Sequence, residues 1–167
     1  MSRRDRDRSM VVRYDTRAGS ASRVVVARLK PGSDLLGSLQ EIVGREGVKA
    51  GVILSGVGLL GEARLRNCKS LPEEYPITDE NRTYLSFSRP LEILSLSGNI
   101  TMAEGNPLVH AHVTLSHVGG DEIGIIGGHL IEGCVIFGFA EIILMELEDI
   151  EMEKNYDEET RTLQLFA

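Results

Sequence analysis

From residue 23 onward the chain alternates short apolar runs with glycine- and proline-marked breaks. Arg23 to Leu29 (RVVVARL) is rich in β-branched residues and predicts a buried strand. Pro31-Gly32 marks a turn, after which Ser33 reads as an N-cap with Asp34 in the first helical turn. Leu35, Leu36, Leu39, Ile42 and Val43 recur at helical spacing. They predict a helix of about three turns with one face on a sheet, stopping at Gly47. Ala50 to Val57 predicts a strand, and Gly58 and Gly61 bracket a turn into Glu62 to Cys68, so the pair reads as a hairpin. Lys69 to Arg82, with Pro72 and Pro76, reads as irregular chain forming a flap or an inter-subunit contact. Further strands are predicted at Leu91 to Met102, from Val109, from Asp121 to Ile126 and over Cys134 to Leu147. Glu151 to Ala167 suggests a last hairpin in which Leu163, Leu165 and Phe166 pack. Many strands and one convincing helix indicate an α+β fold, a mainly antiparallel sheet with one principal helix packed on it.

The cleanest alternation runs through Val109-His110-Ala111-His112-Val113-Thr114-Leu115-Ser116. Val109, Ala111, Val113 and Leu115 point to one face, and His110, His112, Thr114 and Ser116 to the other. His110 and His112 therefore stand side by side on the polar face, roughly 7 Å apart from two rises of ~3.3 Å. His129 follows Gly127-Gly128, a pair that permits close backbone approach or a bulge. Two or three imidazoles so gathered can hold zinc or another divalent transition ion, and three would leave a tetrahedral ion one open position. The plain alternative is a solvated His-x-His pair. His117 has the opposite strand parity and is left out of the set.

Composition narrows the function. The 167 residues fit one domain, 21–167, behind an Arg/Asp-rich segment over 1–20 that reads as a flexible tail, with a short strand conceivable near Met10 to Tyr14. In that tail Arg3, Arg4, Arg6 and Arg8 alternate with Asp5 and Asp7. A self-neutralising solvated arm is the simpler reading, and a DNA- or RNA-touching arm the alternative. A net charge of −7 and the absence of Trp disfavour broad nucleic-acid binding by the folded body. No apolar run is long enough to span a bilayer and no secretory leader is visible, so membrane association is not expected. With only Cys68 and Cys134, a disulfide framework is not expected and a cytoplasmic setting is the default. Cys134, in an apolar strand, reads as a free buried thiol and not a fourth metal ligand. Gly127-Gly128 lacks the lysine and the GxGxxG context of a phosphate loop. The acidic run Glu146, Glu148, Asp149, Glu151 and Glu153 reads as a solvated strand end.

Several stretches together resemble the plant- and prokaryote-conserved (PPC) domain family. They are Leu29-Lys30-Pro31-Gly32-Ser33-Asp34-Leu35, the run Leu91 to Ile100 (LEILSLSGNI), Pro107-Leu108-Val109-His110-Ala111-His112, Gly127-Gly128-His129-Leu130 and Ala140-Glu141. The resemblance runs from about Arg23 to the C-terminus. It implies a homotrimer and, as in stand-alone prokaryotic members that resemble metal carriers, a metal at His110, His112 and His129. The AT-hook that precedes the domain in plants, with its Arg-Gly-Arg-Pro core, is missing, which weakens the DNA-binding role that the family label suggests. If an ion is present with an open position for a small-molecule ligand, Glu92 and Glu141 are the candidate general acid/base groups and Ser97 or Asn99 the polar orienters. A carboxylate accepting a histidine's second ring N–H, or simply pairing with an arginine, is the competing role for each acid. Whether any catalysis follows stays open.

Overall fold

A computed structural model describes residues 12–167. In chain order it contains β1 (Ser20–Leu29), α1 (Leu35–Glu46), β2 (Gly51–Cys68), β3 (Arg82–Ala103), β4 (Asn106–Gly119), β5 (Glu122–Leu130), β6 (Val135–Glu148), β7 (Glu153–Asp157) and β8 (Thr162–Leu165). The strands form one sheet in the order β1-β6-β2-β5-β4-β3-β7-β8, with β2 also paired to β3. That extra pairing closes β2, β3, β4 and β5 into a ring. All pairings are antiparallel except β3 with β7. The expected α+β class, with one principal helix, is what forms.

The helix starts one residue later than the sequence suggests. Asp34, not Ser33, is the N-cap, and its Oδ1 accepts from Gly37 N at 2.8 Å. Only a carboxylate has the second oxygen needed here: Oδ2 accepts from Gly133 N and Cys134 N, tying the helix start to the β5–β6 connection. Gly47 ends the helix in the left-handed conformation (φ 71°), as expected. Leu35, Leu39 and Val43, one face at four-residue spacing, are fully buried, with Leu36 and Ile42 partly so. From the same helix Gln40 Oε1 accepts from Val109 N at 2.8 Å. The start of β4 is thereby fixed against the helix.

Two expectations fail for identifiable reasons. Ala50–Val57 and Glu62–Cys68 are not a hairpin; they are one 18-residue strand, β2, with a register shift between Leu60 and Glu62. Gly58 mimics a turn signal but serves close packing, since a Cβ there would lie 2.4 Å from Phe139 O. Along its length β2 keeps β3 on one side and exchanges β6 for β5 on the other. Nor is Arg23–Leu29 a buried strand. It sits at the sheet edge beside β6 alone, leaving Val26 72% exposed while Leu29 enters the core.

The run 69–81 is irregular as expected, closing with a single 3-10 turn at Asp79–Asn81. The C-terminal hairpin forms as β7 and β8, though Leu163 stays 41% exposed. The tail residues Met1–Val11, with their Arg/Asp alternation, lie outside the described residues, and Val12–Tyr14 form no strand. Arg13 reaches Glu159 in a two-pronged ion pair (2.7 and 3.0 Å), and Arg17 lies 5.3 Å over the Phe166 ring. Among the described residues no helix is long and apolar enough to cross a membrane.

Candidate metal centre

The alternation of β4 is realised position by position. Val109, Ala111, Val113 and Leu115 are buried in the core, which leaves His110 and His112 on the outer face. Strand β5 returns antiparallel and places His129 directly opposite His112. No register shift interrupts that ladder, so Gly127-Gly128 is not a bulge. Gly128 is needed for space instead. A Cβ there would lie 2.7 Å from Asn67 Oδ1, and the Asn67 amide donates to Gly127 O at 2.9 Å.

The three rings have centroids 4.9 Å (His110–His129), 5.3 Å (His112–His129) and 5.4 Å (His110–His112) apart. One nitrogen from each lies within 4.8 Å of the others. A tetrahedral ion with Zn–N bonds of ~2.05 Å needs about 3.4 Å between donors, a difference within reach of small imidazole rotations.

The donor chemistry also fits a cation. Burial first, then Arg66, the other two imidazoles and Arg82, depress His129 to about 4. Burial, Lys154, His112 and Arg66 lower His110. Both therefore present neutral rings with free lone pairs at neutral pH. Asn99 stands opposite His110 in the β3–β4 ladder, and its buried Oδ1 has no hydrogen-bond partner.

The model of the Plants and Prokaryotes Conserved (PCC) domain matches residues 16–148. The chain belongs to that family. The PCC domain is 35% identical over 143 residues to the bifunctional protein GlmU of Synechococcus sp. (strain JA-3-3Ab). The match covers 86% of this chain but 20% of that protein, so the chain spans about a fifth of its relative's length. Among solved structures, a metal-containing protein of Archaeoglobus fulgidus superposes with a TM-score of 0.74 at 27% identity, covering 92% of this chain and 100% of the other. A plant- and prokaryote-conserved protein of Pyrococcus horikoshii gives 0.72 at 30% identity, with 90% and 96% covered. A candidate DNA-binding protein of Bacteroides thetaiotaomicron gives 0.68 at 19% identity, a likeness of fold alone, with 88% and 96% covered.

In this PCC domain the trio opens into a cleft of about 560 Å³. The 69–81 run walls it with Tyr75 and Ile77, and the β7–β8 hairpin supplies Lys154 and Leu163. Arg66 and Arg82 also line it, and among the described residues no carboxylate does. Sequence reasoning did not single out these cations. Arg66 pairs with His129 across β2–β5, a contact hidden when β2 is misread as a hairpin. Lys154 did carry a signal, as the lone base in the acidic run from Glu146 to Glu159.

The carboxylates singled out as acid/base candidates stand elsewhere. Glu92 lies opposite Ser116, four residues or ~13 Å along β4 from His112. Glu141 lies opposite Arg28 and Val57 on β6, which borders β1 and β2 and not β4. Neither lines the cleft within one chain. Of the polar candidates, Ser97 pairs with His112 and Asn99 with His110. Cys134 is fully buried, its thiol pushed up to about 11 by burial, and it exchanges hydrogen bonds with the Arg64 backbone. The free-thiol reading holds. The other cysteine, Cys68, unexpectedly lines the cleft.

Proposed function

We propose that this PCC-domain chain is a cytoplasmic, homotrimeric metal-binding protein. His110, His112 and His129 hold one divalent transition ion, zinc being the best match to an all-imidazole set, with a coordination position left for a small ligand. The observation that carries this reading is the convergence of three imidazole nitrogens in one cleft. The metal-containing name of the Archaeoglobus relative supports it. Asn99, cross-strand from His110 with a buried Oδ1 that lacks a partner, is the residue that would accept the second ring N–H of His110 once that ring rotates onto an ion. An open-site ion of this kind polarises a bound carbonyl or lowers the pKa of a bound water. Around it, Asn67 holds β5, Gln40 holds the start of β4, and Tyr75 and Ile77 add apolar surface to one wall.

Self-association is supported by apolar side chains left bare on four strands: Val26 on β1, Leu54 on β2, Ile123 and Ile125 on β5, and Phe137 on β6. Sheet faces of this composition ordinarily mark a subunit interface. Sedimentation equilibrium tests the trimer, and a monomer at micromolar concentration contradicts it.

The decisive experiment is metal content by inductively coupled plasma mass spectrometry on protein purified without a histidine tag, beside His110→Ala. About one transition ion per chain, absent from the variant, is the expected result. A folded protein that takes up no zinc even after incubation removes the reading.

DNA association is a second reading, favoured by the arginines at 3, 4, 6 and 8 and by the name of the Bacteroides neighbour. The net charge of −7 opposes it. Unshifted DNA mobility at low salt with excess protein would eliminate it.

A further inference from the structure

The chain carries seven net negative charges, yet its histidine cleft gathers Arg66, Arg82 and Lys154 and, among the described residues, is lined by no carboxylate. The three cations come from β2, β3 and β7, so the fold and not local sequence brings them together. Arg82 is already engaged, donating to Asp79 at 3.1 Å, and Asp79 also accepts from the Tyr84 hydroxyl at 2.9 Å. Arg66 and Lys154 are different. Among the described residues neither forms an ion pair or a side-chain hydrogen bond, although Lys154 is only partly exposed.

Half-burying the Lys154 ammonium with no carboxylate paired to it costs free energy, and Arg66 has only the nearby Asp79, whose hydrogen bonds go to Arg82 and Tyr84. A bound anion recovers it. Arg66 lies directly across the ladder from His129, so a group held by Arg66 also lies beside the imidazoles.

The geometry points to a small organic anion as the ligand of this cleft. Its carboxylate or phosphate is held by Arg66 and Lys154, and its short apolar body lies against Tyr75, Ile77 and Leu163. A volume of about 560 Å³ accommodates a molecule of metabolite size. The inference rests on the metal reading only in its last part, that a second donor atom of the anion fills the open position on the ion. Guanidinium and ammonium together suit either acid: the fork pairs with two oxygens and the ammonium acts as a point charge.

The test is calorimetric titration of inorganic phosphate and of butanoate, at low ionic strength, into the protein as purified. Butanamide serves as the neutral control, and metal content is measured on the same samples. One anion should bind and butanamide should not. Arg66→Gln combined with Lys154→Met should weaken that anion at least about tenfold, the scale of a lost charge-assisted hydrogen bond, with metal content unchanged. Arg66→Lys with Lys154→Arg, which keeps both charges, should retain most of the binding and guards against a folding artefact. Which of the two anions binds more tightly separates a phosphate ligand from a carboxylate one. Binding of the anion by the Gln/Met variant as tightly as by the wild type overturns the proposal. So does failure of both anions to bind. Protein without metal that still binds an anion, and loses it in the Gln/Met variant, removes the metal reading while leaving the anion site standing.

Discussion

Strand β4 carries histidines toward both its ends, and their surroundings differ completely. At one end His110 and His112 meet His129 and face a cleft. At the other, His117 lines a smaller cavity of about 310 Å³ with Glu92 and Arg89 but no second histidine, and it faces Gly124 across the same β4–β5 ladder so closely that a Cβ on Gly124 would lie 2.5 Å from its Nε2. Its Nδ1 is buried without a partner. Residue type and strand are the same; the cross-strand neighbour is not. A lone imidazole against a glycine fills volume, whereas an imidazole opposite another imidazole, with a third two residues away, forms a donor set.

The sharpest way to break this comparison is to remove one histidine from each end. His129→Ala should abolish stoichiometric metal, while His117→Ala should leave the metal-to-chain ratio unchanged by elemental analysis. Equal loss in both variants would mean the ends are not distinct. A smaller effect is expected from Gly124→Val, which overpacks the His117 end. It should destabilise by about 1–3 kcal/mol in urea unfolding, with the metal retained. Asn99→Ala probes the other end from behind. It should weaken the ion by roughly ten- to a hundredfold in a competition with a chelating dye, without moving the unfolding midpoint of metal-free protein by as much as Gly124→Val.

The smallest effect is that of pH on the metal-free chain. His129 takes up its proton near 4 when folded, against 6.5 as its ordinary value, so between these limits the unfolded chain binds more protons. The stability contributed by the neutral ring is therefore complete above pH 6.5 and falls as pH drops toward 4. Thermal midpoints at pH 7.5 and 5 should show this drop, and His129→Ala should reduce it.

The same contrast explains what could be read from the sequence. The β4 pattern was legible because each apolar position there takes one side of a single sheet and the strand has no irregularity between His110 and Leu115. The helix face was legible for the same reason, with Leu35, Leu39 and Val43 at constant spacing. Strand β2 was not, since Gly58 and Gly61 have the composition of a turn but meet the demands of close packing and a bulge. Asp34 was misplaced by one residue because its second oxygen serves Gly133 and Cys134, about a hundred residues away. Glu92 and Glu141 lie in recognisable motifs but outside the cleft, while Arg66, Arg82 and Lys154 reach it through strand pairings that local pattern does not reveal, even though Lys154 stands out as the lone base in its acidic run.

The placement of all three imidazoles on the single β4–β5 hairpin has a consequence for the order of events during synthesis. The ribosome delivers the complete donor trio before β6 and well before Lys154. If the trio holds an ion as proposed, a partly made chain already carries every donor, and the C-terminal hairpin with Lys154 is added afterwards, so loading and closing would be successive steps.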